Sequence, residues 1–216
     1  EWGTGLIDFT DENMYKEFRG VRGDSLSISA QQKSYITASM STMGLEGERV
    51  DESTVSSDYN YINNITEDRM IAFDSEIELN GTDITATVDD IEINLNNNLD
   101  GDDYAINSKI RRDLIATSSE ADMSMTLQFN KGDYLNYKDQ LENGNKIGLT
   151  YNILPGVQVD IPKLMLTEVS APADTTDKIT VSISGNLYQD TSTNSPLDIK
   201  IYDEITTDHK TELTDD

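Results

Sequence analysis

Ile71-Ala72-Phe73-Asp74-Ser75-Glu76-Ile77-Glu78-Leu79 sets the architecture of this chain. Odd positions are mostly apolar (Ile71, Phe73, Ile77, Leu79), and even positions carry Asp74, Glu76 and Glu78. Side chains alternate between the two faces of a strand, so a period of two gathers these carboxylates on one side of a half-buried sheet. No catalytic constellation accompanies the pattern. It suits a building block better than an enzyme.

The same period recurs on both sides of this stretch. Ser25–Ala30 and Ile36–Ser41 alternate cleanly, and Gln31-Gln32-Lys33-Ser34 between them is short enough for a hairpin loop, with Gly44 closing the pair. Arg69–Asn80 and Ile84–Val88 follow, joined by Gly81-Thr82-Asp83. After Asp89-Asp90 the apolar phase shifts to Ile91, Ile93 and Leu95, which predicts a bulge or a tight turn. Ala121–Phe129 is the clearest strand, and further strands are predicted at Leu114–Ala116, Ile147–Ile153, Val157–Ile161, Leu164–Val169, Ile179–Leu187 and Ile199–Tyr202. Gly132–Asn143 is the one helix candidate, with Asp133 as its N-cap and Gly144 as its stop. Glu1–Arg19 is mixed, anchored by Trp2, Phe9, Tyr15 and Phe18. Glu46–Asp68 lacks periodicity and reads as a long loop or arm, a length that is usually functional or disordered. About ten short strands and one helix predict a β-sandwich or barrel with a flanking α-helix. Residues 1–203 read as one β domain and 204–216 as an acidic tail.

Composition narrows the function. The 216 residues hold 41 acidic and 16 basic side chains, a formal charge of −25. Such a field opposes binding to nucleic acid, which needs Lys and Arg to displace counterions, and opposes an anionic membrane surface. The chain contains no cysteine, which excludes disulfides, thiolate metal sites and a cysteine nucleophile. No apolar run approaches the ~18 residues of a membrane helix. The chain begins at Glu1 without a signal-peptide pattern, and a processed or partial product is expected.

Individual motifs add little chemistry. The single histidine, His209, sits in the polar tail and gives no basis for a Ser-His-Asp triad. Asn96-Asn97-Asn98-Leu99-Asp100-Gly101 imitates the start of a calcium loop. Its first position is Asn, however, and its twelfth is Asn107 in place of the bidentate Glu. A turn built from Asn and Asp-Gly accounts for it better. Asn64-Ile65-Thr66 and Asn80-Gly81-Thr82 match the glycosylation pattern, as chance allows in an Asn- and Thr-rich chain. No phosphate-binding glycine loop is present. No cofactor and no metal ligand set is expected.

Three segments together resemble the major tail tube proteins of long-tailed (siphovirus-like) bacteriophages. The first is Phe18-Arg19-Gly20-Val21-Arg22-Gly23-Asp24-Ser25-Leu26-Ser27-Ile28-Ser29, followed by Ile36–Leu45. These are similar to the family's "GVR-x-DSLSLS" and "VTASFSLMG" strands. The second, Asp90–Leu99, is similar to its "LTINNNL" strand and turn. The third runs from Ile110-Arg111-Arg112-Asp113-Leu114-Ile115 to Met123–Phe129 and precedes the short acidic helix. Each is weak alone; their shared order and spacing over roughly residues 15 to 190 is more specific. Two departures stand out: the family usually carries a further part before the first motif, and this chain is more acidic.

The resemblance implies a structural virion protein, not an enzyme, assembled in the host cytoplasm and carried in the phage tail. It implies subunits that form homo-oligomeric, typically hexameric rings. These stack into a hollow tube, with other tail proteins such as the tape measure and the terminator as partners. DNA would pass through a negatively charged lumen without specific binding. Ser25, Ser27, Ser29, Thr37, Ser39 and Ser41 are the first candidates to face that lumen, being small, polar and uncharged. Asp74, Glu76 and Glu78 come second. Glu46–Asp68 is the candidate arm to the next ring, with Glu46, Arg49, Asp51, Tyr59 and Tyr61 as its contact residues. Two alternatives stay open: the tube of a contractile injection system, and a secreted β-sandwich adhesin or carbohydrate-binding module using the Tyr59-Asn60-Tyr61 cluster to stack sugars.

Overall fold

The computed structural model describes residues 3–9, 14–50, 75–153, 156–172 and 179–201. Among these, fourteen strands and one α-helix form a mainly β fold. The strands are β1 (Gly3–Phe9), β2 (Met14–Gln31), β3 (Thr37–Met43), β4 (Glu46–Val50), β5 (Ser75–Leu79), β6 (Thr82–Asp83) and β7 (Val88–Asn96). They continue as β8 (Leu99–Asp100), β9 (Ile115–Ala116), β10 (Glu120–Gln128), β11 (Lys146–Ile153), β12 (Val157–Ser170), β13 (Thr180–Leu187) and β14 (Asp198–Ile201). The helix, α1, spans Lys131–Asn143. One large sheet runs β1-β2-β7-β10-β13-β12-β11-β5-β6, with β3 and β4 paired to β2 and β14 to β12. Its path does not close. The small β8–β9 pair stands apart.

Two compact units divide the chain. One comprises Glu1–Ser27, Ala38–Asp68 and Asn94–Glu120; the other comprises Ile28–Thr37, Arg69–Ile93 and Ala121–Asp216. The second unit holds most of the core, and strict alternation explains how. Met123, Met125 and Leu127 of β10, Ile147, Leu149, Tyr151 and Ile153 of β11, and Val181 and Ile183 of β13 are all buried. In β5, Ile77 and Leu79 are buried while Glu76 and Glu78 are exposed, as the period of two predicts. Ile71 to Asp74, the first half of that pattern, lies outside the described residues.

Several elements differ from the sequence expectation, each for a local reason. The two strands predicted at Val157–Ile161 and Leu164–Val169 are one strand, β12. Its buried positions change parity between Ile161 and Leu164, across Pro162, and again before Val169. Pairing with β11 slips between Ile147 and Leu149, and pairing with β13 slips between Leu166 and Glu168. A bulge reverses the inward face without ending the strand. The predicted strand Ile84–Val88 is instead a 3₁₀ turn at Thr85–Thr87 before β7. Thr87 Oγ1 donates to the Ile84 carbonyl at 2.7 Å, and Thr85 Oγ1 accepts from the Ile77 amide at 2.8 Å, so both hydroxyls hold the backbone out of the ladder. Asn80 and Gly81, at φ 52° and 74°, make the tight turn between β5 and β6, where both central residues need positive φ. Asn98 is left-handed (φ 46°) and its amide donates to Asn96 Oδ1 at 2.9 Å, so the calcium-like stretch is an Asx turn.

The helix starts earlier than predicted. Asn130, not Asp133, is the N-cap: its side chain accepts from the Gly132 amide at 2.8 Å. Asp133 lies in the first turn, where it favours the helix dipole. Gly144 at φ 61° stops the helix as predicted. Only Tyr137 of α1 is buried, and the helix packs against β12. An Asn130→Ala protein should lose about 1 kcal/mol in urea unfolding, more than Asp133→Ala loses. An unchanged urea midpoint for Asn130→Ala would remove its capping role.

Candidate assembly surface

The segments that carry the family resemblance meet in one hydrogen-bonded node in the first unit. The Asn97 amide donates to the Asp24 carbonyl at 2.7 Å, and Asn97 Nδ2 donates to the Gly23 carbonyl at 3.0 Å. Asp24 Oδ1 accepts from the Leu99 amide at 3.0 Å. Arg22 donates to the Leu114 carbonyl at 2.5 Å, and Arg111 donates to the Gly44 carbonyl at 2.7 Å. Leu99 and Leu114 are buried between these contacts. Charged and amide side chains here satisfy part-buried loop backbone, as carbonyls and amides leaving water require. Their work is structural: they fix the loops that flank the β2–β3 hairpin.

That hairpin is an unusual surface among the described residues. Ser25 Oγ and Ser41 Oγ lie 2.9 Å apart, and Ser29 Oγ and Thr37 Oγ1 lie 2.7 Å apart. Both pairs share one antiparallel register (25 and 41, 29 and 37, each summing to 66), and the same register sets Ser27 opposite Ser39. Ser41 also donates to Asp24 Oδ2 at 3.3 Å, which leaves Ser25 as donor to Ser41. Ser25 with Ser41 and Ser29 with Thr37 therefore share a strand face, and in each pair one hydroxyl donates to the other.

The opposite face of β3 departs from expectation. Alternation predicts that Ala38 and Met40 enter the core, yet every residue from Thr37 to Thr42 is exposed, and Met40 is 65% exposed. Ile28 and Ala30 of β2 are buried, so the hairpin has a covered strand and an uncovered one. A strand bare on both faces is not stabilised by its own chain's core.

The second-choice residues sit elsewhere. Glu76 pairs with Asn152 and Glu78 with Thr150 and Asp83, on β5. Five strands separate β5 from β2 in the sheet order. The Thr85 hydroxyl, with its backbone amide, holds the neighbouring Asp83 carboxyl below its ordinary value, so this end of the sheet keeps its charge. Asp74 lies outside the described residues, as do Asp51, Tyr59 and Tyr61 of the candidate arm. Glu46 and Arg49 are not loop residues. They belong to β4, paired to Arg19 and Lys16 of β2. This short strand has no apolar alternation to reveal it: its ladder with β2 sets Arg19 opposite Glu46 but also like charges opposite, Lys16 with Arg49 and Glu17 with Glu48. Arg19 lies 3.1 Å from Glu17 and 3.9 Å from Glu48, and a Cβ on Gly47 would press at 3.2 Å on the Phe18 ring. Among the described residues no cluster of three or more His, Cys, Asp or Glu could hold a metal ion.

The geometry defines an antiparallel β protein with one hairpin strand exposed on both faces. The matching family says which kind: the model of the phage tail tube protein family matches residues 3–187, and the chain belongs to that family. It is thus a structural component of a phage tail. Among solved structures, a chain of the virion of a native gene transfer agent (GTA) particle is similar at 16% identity. The match covers 53% of this chain and 90% of that one, with a TM-score of 0.39. No curated protein matches the sequence.

Proposed function

We propose that this chain closes into homo-oligomeric, hexameric rings that stack as the tail tube, and that the tube conducts DNA during ejection. The observation that carries this reading is the β2–β3 hairpin with β3 uncovered on both faces. Neighbouring subunits cover the Ala38–Met40 face. The serine face turns to the lumen, where it contributes to a barrel continuous around the ring and leaves no sheet edge open. Hydroxyls already bonded to one another offer a sliding phosphate backbone little to hold. The overall charge of −25 repels it further. Tape measure and terminator proteins are the expected partners at the lumen and the tube end.

Negative-stain electron microscopy of the purified chain across a range of salt tests the reading. Added salt screens repulsion between acidic subunits, so rings and then hollow tubes should appear as ionic strength rises. Uniform monomers at every salt concentration would count against self-assembly through this hairpin.

A further inference from the structure

A turn in the first unit carries side chains its own fold does not need. The Tyr104–Arg112 segment folds back on itself through a bridge between Tyr104 and Arg111 and a Ser108 amide to Ala105 carbonyl bond of 3.0 Å. Asn107 takes the left-handed conformation (φ 69°) at its tip. Two further contacts fasten the base: Arg112 bonds Asp103 at 2.9 Å, and the Arg111 guanidinium sits 5.6 Å from the Tyr104 ring centroid. Ile106 stands at the apex, 101% exposed. Turn positions favour Gly, Pro, Asn, Asp and Ser, and a β-branched apolar side chain there gains nothing from the fold. Tyr104 and Ile110 beside it are 44% and 45% exposed.

Its charge is as unusual as its apolarity. Residues 104–112 contain Lys109, Arg111 and Arg112 and no carboxylate. Removing those three cations leaves 13 basic against 41 acidic residues, a charge of −28 for the rest of the chain. Arg112 is paired with Asp103 and Arg111 with the Gly44 carbonyl, so the turn is a knob that presents Ile106 together with the exposed cation Lys109 on an acidic protein. The most abundant surface complementary to it is another copy.

The second unit offers a socket. A cavity of about 380 Å³ has walls from Ala30, Ile77, Val88 and Ile91, with Asp89, Asp90 and Lys33 at its polar rim. That volume lies within the usual range for sites that bury an apolar group. A second cavity, between the β5–β6 turn and α1, measures about 110 Å³ and falls below it.

We propose that Ile106 of one copy inserts into the Ala30–Ile91 cavity of the next, with Lys109 facing Asp90. Knob and socket are different surfaces, so the contact is heterologous and repeats from subunit to subunit. It deepens the tail-tube reading and rests on it.

The absence of cysteine allows a clean test. Chains carrying Ile106→Cys and Gln32→Cys together, assembled and then oxidised, should give a ladder of disulfide-linked oligomers. Either single variant should give nothing beyond dimers. Ile106→Asp should raise the protein concentration needed for assembly at least about tenfold. Normal rings or tubes from Ile106→Asp, with no ladder from the double variant, would overturn the knob and leave the tube reading intact. A wild-type chain giving no rings or tubes, together with no ladder from the double variant, would overturn both. A third outcome replaces the partner: if Ile106→Asp assembles normally while the chain shifts duplex DNA on a gel and Lys109→Glu abolishes that shift, the turn contacts nucleic acid.

Discussion

Gly185→Val should unfold at a much lower urea concentration than the wild-type chain, and Gly185→Ala should fall between them. Gly185 sits in β13, opposite Met123 of β10 and Leu166 of β12. A Cβ built there meets Leu164 Cδ1 at 2.7 Å and the Met165 carbonyl oxygen at 2.9 Å. The Leu164 side chain is itself 0% exposed, and the carbonyl belongs to strand backbone, so neither neighbour can withdraw cheaply. Overpacking of this kind costs about 1–3 kcal/mol and occasionally more. Against a typical total stability of about 5–15 kcal/mol, alanine should lower the melting temperature by several degrees and valine by about ten or more. Gly148→Ala supplies the control. Gly148 lies in β11, and its added Cβ would meet nothing closer than the Ile161 carbonyl at 3.9 Å. Urea titrations followed by circular dichroism should separate the two positions. Equal midpoints for Gly185→Ala and Gly148→Ala would show that the β12–β13 contact yields.

Legibility in the sequence followed from which force organises each element. Strands held by burial were visible: Met123–Met125–Leu127 and Ile147–Leu149–Tyr151 alternate because one face leaves water, and the structure buries those residues. The helix stop at Gly144 was visible because a left-handed position has a residue preference. Strands held by other means were not. β4 depends on its backbone ladder with β2 and a close glycine contact on the Phe18 ring, and neither leaves a period. The phase reversals of β12 surround Pro162, and without the β11 and β13 registers a bulge there looks like a gap between two strands. For the candidate site, alternation grouped the serines of β2 and β3, and two of the hydroxyl pairs are in contact. It failed for Met40, because period alone says which residues share a side and not whether that side is covered. The roles of Arg22 and Asp24 were also hidden. Their partners lie some 75 to 92 residues away, and only the fold brings them together.

The lumen assignment makes the other strong prediction. If the serine face lines the channel, Ser39→Lys places one cation per subunit at a fixed height in every ring, repeated along the tube. Ser39 is exposed, so the substitution costs the subunit little, and assembly should proceed. Tubes assembled with DNA present should then hold it inside, protected from nuclease. The affinity should drop steeply with salt, because each neutralised phosphate of a duplex contributes about −0.9 to the slope of log K against log salt. With six or more such contacts along a bound stretch, raising salt from about 50 to 200 mM weakens binding by about three to five orders of magnitude. Asn143→Lys makes the same charge change at the exposed end of α1. DNA attracted there, away from the proposed serine-lined lumen, should be digested. Wild-type tubes, with no added cation, should protect none. The decisive quantity is the nuclease-resistant DNA that sediments with each tube. If Ser39→Lys protects no more than Asn143→Lys, the serine face does not line the channel. The conduit would then have to be built from another surface, with Glu76 and Glu78 of β5 the next to substitute.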